Sequence, residues 1–157
     1  MSRNFKHLLL MAMVLSFPVM PALARPVSAT QPQTASQDSL YKRLGGYDAL
    51  AAVSDDFLGR LASDPKEGRF FVGLSTDSRT RVRQHIVDFL CVATGGPCKY
   101  TGRDMVTAHT GLGITEEDWT IMVSQLQATF NKFKVPPNLQ QEVLGALGPL
   151  KGQIVGR

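Results

Sequence analysis

Sheet periodicity is missing from this chain: no stretch alternates apolar and polar residues over a useful length, which excludes a sheet-based fold. Arginine and lysine outnumber the acids, yet they are scattered and form no run with interleaved aromatics, so no nucleic-acid partner is expected. The one long apolar run, residues 8–20, is interrupted by Ser16 and Pro18 and falls short of the roughly 20 residues that a bilayer span needs. Histidine is scarce as well. There are three, and His7 belongs to that same N-terminal stretch, which leaves His85 and His109.

Residues 1–24 have the layout of a secretory signal. Arg3, Lys6 and His7 form a basic start, the apolar run follows, and Ala22-Leu23-Ala24 supplies a small-x-small cleavage site. The expectation is cleavage after Ala24 and a periplasmic or secreted product with no membrane attachment; the alternative is an uncleaved anchor. Residues 25–38, rich in Pro, Ser, Thr, Gln and Ala, read as a flexible linker, and residues 39–157 as one domain. The leader carries two of the seventeen basic residues and none of the thirteen acids, so the mature chain is only about +2. An exported chain meets an oxidising compartment. A bridge between Cys91 and Cys98 across Gly95-Gly96-Pro97 would then staple a helix end to the next loop and contribute about 2–3 kcal/mol. The other reading is a buried thiol at Cys91 and a loop thiol at Cys98.

Helical spacing covers nearly all of the domain. Leu50, Val53, Phe57 and Leu61 predict a helix over 47–61, and Val82, Ile86, Phe89 and Ala93 one over 77–93, with His85 bordering that stripe. Thr115 with Asp118 has the form of a capping box for a helix over 115–133, whose face is Trp119, Met122, Val123, Leu126, Phe130 and Phe133. Pro136-Pro137 restarts the chain as a last helix carrying Leu139, Val143, Leu144, Leu147 and Ile154, which Pro149 should kink or end. The fold class is all-α. Two links are long for so small a helical domain, 61–77 with Pro65, Gly68 and Gly73, and 94–105 with Gly95, Gly96, Pro97 and Gly102; such loops usually serve a function. Imidazole is a common ligand of transition metals at neutral pH, and two on separate helical segments could face opposite sides of one flat cofactor.

The ordered set of Leu40 to Gly46, Asp55-Asp56-Phe57, Phe70-Phe71, Gly95-Gly96-Pro97, Tyr100 to Met105 and His109 resembles the group I truncated haemoglobins, over about residues 39–154. The resemblance implies a truncated 2-on-2 globin fold around non-covalently held haem b. On it, His109 corresponds to the proximal iron ligand and Phe71 to a phenylalanine packed on the haem plane. Phe57, Tyr100, Met105 and Trp119 correspond to pocket positions, and Arg81 to a basic residue that meets a haem propionate. Ordinary core packing, or for Arg81 a solvated side chain, is the competing role of each. The cysteines do not form a Cys-x-x-Cys-His attachment site, and no histidine follows His109 to form the crosslink some relatives make.

The distal side departs from the family's usual pattern. Many members carry a tyrosine after the equivalent of Phe57, where its hydroxyl donates to bound oxygen; here that residue is Leu58. Val82 and Ile86 fill two pocket-lining positions where relatives often have glutamine. His85 alone remains as a polar distal group, at a position where a histidine binds iron directly in some cyanobacterial relatives; the alternative has it swung toward solvent or a propionate, leaving the sixth site open or water-filled. The implied function is an exported haem globin that binds O2, CO or NO reversibly, with bis-histidine iron when unligated and an electron donor the sequence does not name. The alternatives are a haem-dependent nitric oxide dioxygenase or peroxidase-like detoxifier using an external reductase, and a helical interaction module without haem.

Overall fold

A computed structural model describes residues 38–157; the expected signal sequence and all but the last residue of the expected linker lie outside the described residues. Every regular element among the described residues is helical. A short α1 (Leu40–Arg43) is capped by the Ser39 hydroxyl, which accepts from the Lys42 amide. Gly45 and Gly46 then take left-handed backbone angles, φ 98° and 77°, which a side chain would strain, and turn the chain into α2 (Gly46–Ser63).

α2 is the central element. It packs against both α3 (Thr76–Ala93) and α5 (Glu116–Lys132), and α5 in turn packs against α6 (Pro137–Leu147). The main core joins Val53, Phe57 and Leu61 of α2 with Leu126 and Phe130 of α5 and Val143 of α6. A second cluster, Leu50, Leu90 and Cys91, joins α2 to the end of α3. Polar groups stitch the same interfaces. Asp56 on α2 accepts from Arg60, from the Thr129 hydroxyl and from Lys132, and Lys132 followed by Arg60 holds its carboxyl at about 2.

Capping chemistry explains most helix ends. Thr115 and Asp118 exchange both hydrogen bonds of the expected capping box, and Glu116, Glu117 and Asp118 suit the positive end of the helix dipole. Pro137 opens α6 as its first residue, and α6 ends at Leu147; a 3₁₀ turn at Gly148–Leu150 carries Pro149 into a four-residue α7 (Lys151–Ile154). Cys91 and Cys98 are bonded, with Cα atoms 5.8 Å apart, which fixes the end of α3 to the loop beyond it.

One expectation needs correction. Phe133 does not lie on the buried face of α5. It caps the helix, is 40% exposed, and stacks near the Lys132 ammonium instead. On α3, the residues buried by protein are Val87, Leu90 and Cys91; Val82, Ile86, Phe89 and Ala93 form a separate, half-buried apolar face. The periodicity was real, but it marked the face that the protein itself leaves partly uncovered.

The 61–77 link holds a 3₁₀ helix, Glu67–Phe71, and one misfit carboxyl. Glu67 is 5% exposed, and its Oε1 has no hydrogen-bond partner. Burial first, then the charge of Asp118, push this carboxyl up to about 7. Asp118 goes the other way: burial opposes its ionisation, but the Thr115 amide and hydroxyl and the Arg69 guanidinium hold it at about 2. Because Glu67 keeps a proton that the unfolded chain has lost, its favourable contribution is complete below its ordinary value of 4.5 and is lost as pH rises through about 7. Glu67→Gln should therefore be nearly neutral at pH 4 and stabilising by about 1–3 kcal/mol at pH 8. Urea denaturation at the two pH values checks this; equal effects at both would contradict it.

Candidate functional site

His109 ends α4 (Met105–His109), a helix of five residues with none of them buried. It forms because Asp104 caps it. One carboxylate oxygen accepts from the Thr107 amide at 2.9 Å and the other from the Thr107 hydroxyl at 2.7 Å. Within this turn, His109 Nδ1 lies 2.7 Å from the Met105 carbonyl. A carbonyl can only accept, so Nδ1 carries the hydrogen, and in the neutral ring Nε2 keeps its lone pair. That is the state a metal-binding imidazole needs, with its orientation fixed by the second nitrogen.

The surroundings of α4 come from distant parts of the chain. α7 packs on it, and the loop after His109 is paired to the C-terminal residues, the Gly113 amide donating to the Arg157 carbonyl and the Gly156 amide to the Ile114 carbonyl. On the upstream side, the Tyr100 hydroxyl donates to the Arg103 carbonyl at 2.7 Å.

His85 differs from His109 in one decisive way. Its ring is half-buried on α3 and its Nδ1 is fully buried, yet no partner hydrogen-bonds to that nitrogen. Leaving such an atom unsatisfied costs about 1–3 kcal/mol. The ring is in edge contact with Tyr100, centroids 6.0 Å apart, and Tyr100 makes a second edge contact with Phe89 at 5.4 Å.

The other expected site residues separate into two groups. Tyr100, Met105, Trp119 and Ile86 are half-buried, and Trp119 lines an apolar cavity with Met122, Val123, Leu126, Leu144, Leu147 and Gly148. Ile86 packs on the Leu50, Leu90 and Cys91 cluster, and Phe71 against the main core. Phe57, by contrast, is 8% exposed inside the main core. Arg81 is exposed and donates only to the Ser78 hydroxyl at 3.3 Å. Sequence reasoning missed the cavity role of Met122, Val123, Leu144 and Leu147, which it assigned to core packing, and the capping role of Asp104, which its place just before Met105 signals.

These residues fit a haem. Half-buried apolar faces on α3 and α5 suit a flat apolar macrocycle, and two imidazoles offer nitrogen ligands, one with its lone pair fixed and one buried without a partner. Among the described residues, no group of three His, Cys, Asp or Glu converges.

Comparison with known proteins gives the same answer. Residues 39–155 match the family model described as bacterial-like globin. The group 1 truncated haemoglobin GlbN of Mycolicibacterium paratuberculosis is 34% identical over 74% of this chain and 83% of its own length. That of Synechocystis is 33% identical over 70% of this chain and 90% of its own. Among solved structures, the truncated haemoglobin of Tetrahymena pyriformis in its Fe(III) form superposes with a TM-score of 0.70 at 25% identity, covering 76% of this chain and 99% of that one. The 2/2 haemoglobin of a Synechococcus species, in a cyanomet state with covalently attached haem, gives 0.69 at 29% identity over 76% and 99%.

The cap on α4 can be tested directly. Asp104→Ala should lower stability by about 1 kcal/mol and speed haem loss to an acceptor protein, because the turn that aims His109 loses its N-terminal hydrogen bonds. Unchanged haem-transfer kinetics alongside the stability loss would show that the cap does not aim His109.

Proposed function

The chain belongs to the bacterial-like globin family, as a group 1 truncated haemoglobin with a 2-on-2 fold that binds haem b and small gaseous ligands such as O2, and from that premise we propose that it is an exported globin with His109 as proximal ligand and His85 as a displaceable distal ligand. The observation that carries the distal assignment is the buried, unpartnered Nδ1 of His85 on the half-buried apolar face of α3. When bound, the haem supplies reversible binding of diatomic molecules, CO and NO included, and one-electron exchange. His109 would hold it through Nε2, made a better donor by the bond from Nδ1–H to the Met105 carbonyl. Phe71, Met105, Trp119 and Tyr100 supply apolar contact, and Arg81, solvated on the first turns of α3, is free to swing to a carboxylate.

On the distal side, Leu58, Val82 and Ile86 donate no hydrogen bond. Among the described residues assigned to that face, His85 is the polar one. Its tautomer is fixed by no neighbour, so the ring can take the open position itself or yield it. When it takes that position, an incoming ligand must displace it, and apparent affinity falls by the fraction of time the position is open. This favours electron exchange, or nitric oxide and peroxide chemistry supported by an external reductase, over oxygen storage. Turnover of nitric oxide with a reductant would place the protein among detoxifying enzymes.

Export rests on the basic, apolar and small-x-small segments of residues 1–24, and the Cys91–Cys98 bridge suits an oxidising compartment. Mass spectrometry of the periplasmic or culture fraction should find a chain beginning at Arg25; an intact Met1 form confined to cytosol or membrane overturns this part. Coordination is read from optical spectra of the ferric, ferrous and carbonmonoxy forms. Wild type should be six-coordinate and low-spin without added ligand. His85→Ala should open the sixth position, and His109→Ala should destroy the native spectrum. A purely five-coordinate, high-spin ferrous protein that His85→Ala leaves unchanged overturns the bis-histidine assignment.

A further inference from the structure

The buried Nδ1 of His85 meets no donor or acceptor among the described residues, so no hydrogen bond at that nitrogen sets the orientation of the ring. Packing has to set it. The group in edge contact with the ring is Tyr100, at an interplanar angle of 72°, and the same Tyr100 stands at 76° to Phe89, one helical turn further along α3. One side chain from the following loop therefore spans both residues on this face of the helix.

Tyr100, though half-buried, is itself held at several points. Two residues before it, Cys98 is covalently tied to Cys91, which is fully buried in α3. Ahead of that tie, Gly96 presses so closely on Cys91 and Tyr41 that a Cβ there would sit 2.6 Å from either. Beyond the ring, its hydroxyl donates to the Arg103 carbonyl. Gly102 completes the lock. A Cβ at that position would lie 2.3 Å from the Tyr100 hydroxyl oxygen and 2.5 Å from Cζ, so the ring lies against bare backbone. The next residues, Asp104 and Met105, open α4. The loop thus joins the helix carrying His85 to the helix carrying His109, with Tyr100 as its packed centre.

We propose that Tyr100 is a positioning residue for His85, its ring, clamped by Gly102, Arg103 and the Cys91–Cys98 tie, setting the imidazole orientation and so the ease with which His85 gives way to an incoming ligand. The second half of this inference rests on the distal role proposed for His85; the first half does not. Tyr100→Phe keeps the ring and loses only the bond to Arg103. Tyr100→Leu removes the aromatic edge. Gly102→Ala keeps the tyrosine but forces its ring off the backbone, and so covers the case in which Tyr100→Leu fails to fold.

The test uses the full haem protein and two readouts. In the diamagnetic carbonmonoxy form, the His85 ring carbon–proton signals report its orientation whatever the resting coordination. They should move in Tyr100→Leu and Gly102→Ala and stay near wild type in Tyr100→Phe. In the ferric form, the electron paramagnetic resonance g-values of a bis-histidine centre report the relative tilt of the two imidazoles. These should shift in the same two variants, with carbon monoxide association changing by roughly threefold or more, a difference that disappears when His85→Ala is added. His85 ring signals unmoved by Tyr100→Leu and by Gly102→Ala overturn the positioning role. A high-spin wild type insensitive to His85→Ala overturns the distal-ligand reading instead, with the ring signals still deciding on Tyr100.

Discussion

The hydrogen bond from His109 Nδ1 to the Met105 carbonyl sits on a helix of five residues, too short to be stable alone, so what keeps it aimed comes from outside that helix. Asp104 caps one end. The loop from Cys98 to Arg103 fixes where that end begins, and α7 packs on the helix while the C-terminal residues pair with the loop after it. A longer helix would carry its own stability but would have to bury a face of its own, and the domain has little core to spare. The Gly-rich and short-helical character of this region would let a small chain bring the proposed proximal imidazole to a cofactor without committing a packed element to it.

The same economy shows in α3 and α5. α3 buries Val87, Leu90 and Cys91 against the protein and leaves Val82, Ile86, Phe89 and Ala93 half-buried. α5 buries Leu126 and Phe130 in the core, while Trp119, Met122 and Val123 line an apolar cavity. Apolar area left half-wet forgoes about 25 cal/mol per Å². Covering those faces with a flat apolar group would recover that term, so haem b placed there would complete the core as well as react. Its binding would then add to the stability of the fold.

Much of this was legible in the sequence because it is local. The helices followed from 3.6-residue spacing, the start of α5 from Thr115 and Asp118, the break before α6 from Pro136-Pro137, and the end of α6 from Pro149. What was not legible depends on what lies across from a residue. Spacing reported that α3 has an apolar stripe at Val82, Ile86, Phe89 and Ala93, but not that Val87, Leu90 and Cys91 would take the protein side. It put Phe133 on the buried face, although α5 stops one residue earlier and the ring turns outward. For the site, the motif order singles out His109 as the expected proximal ligand, but no motif carries the contact of Tyr100 with His85 or the pairing of residues 113–114 with 156–157, which join positions fifteen or more residues apart.

The two histidines have therefore been given different kinds of freedom by the same fold. His109 has its proton located and its ring aimed by a backbone carbonyl four residues away, an arrangement that changes only if α4 unwinds. His85 lies on the eighteen-residue α3, its buried Nδ1 has no hydrogen-bond partner, and its ring is in edge contact with Tyr100. A ligand that must stay needs a directional constraint, since a hydrogen bond penalises rotation steeply. A group that must yield needs a softer one, since edge packing tolerates a range of tilts. That difference in constraint, more than the presence of two imidazoles, is what the roles proposed for them, anchor and displaceable ligand, rest on.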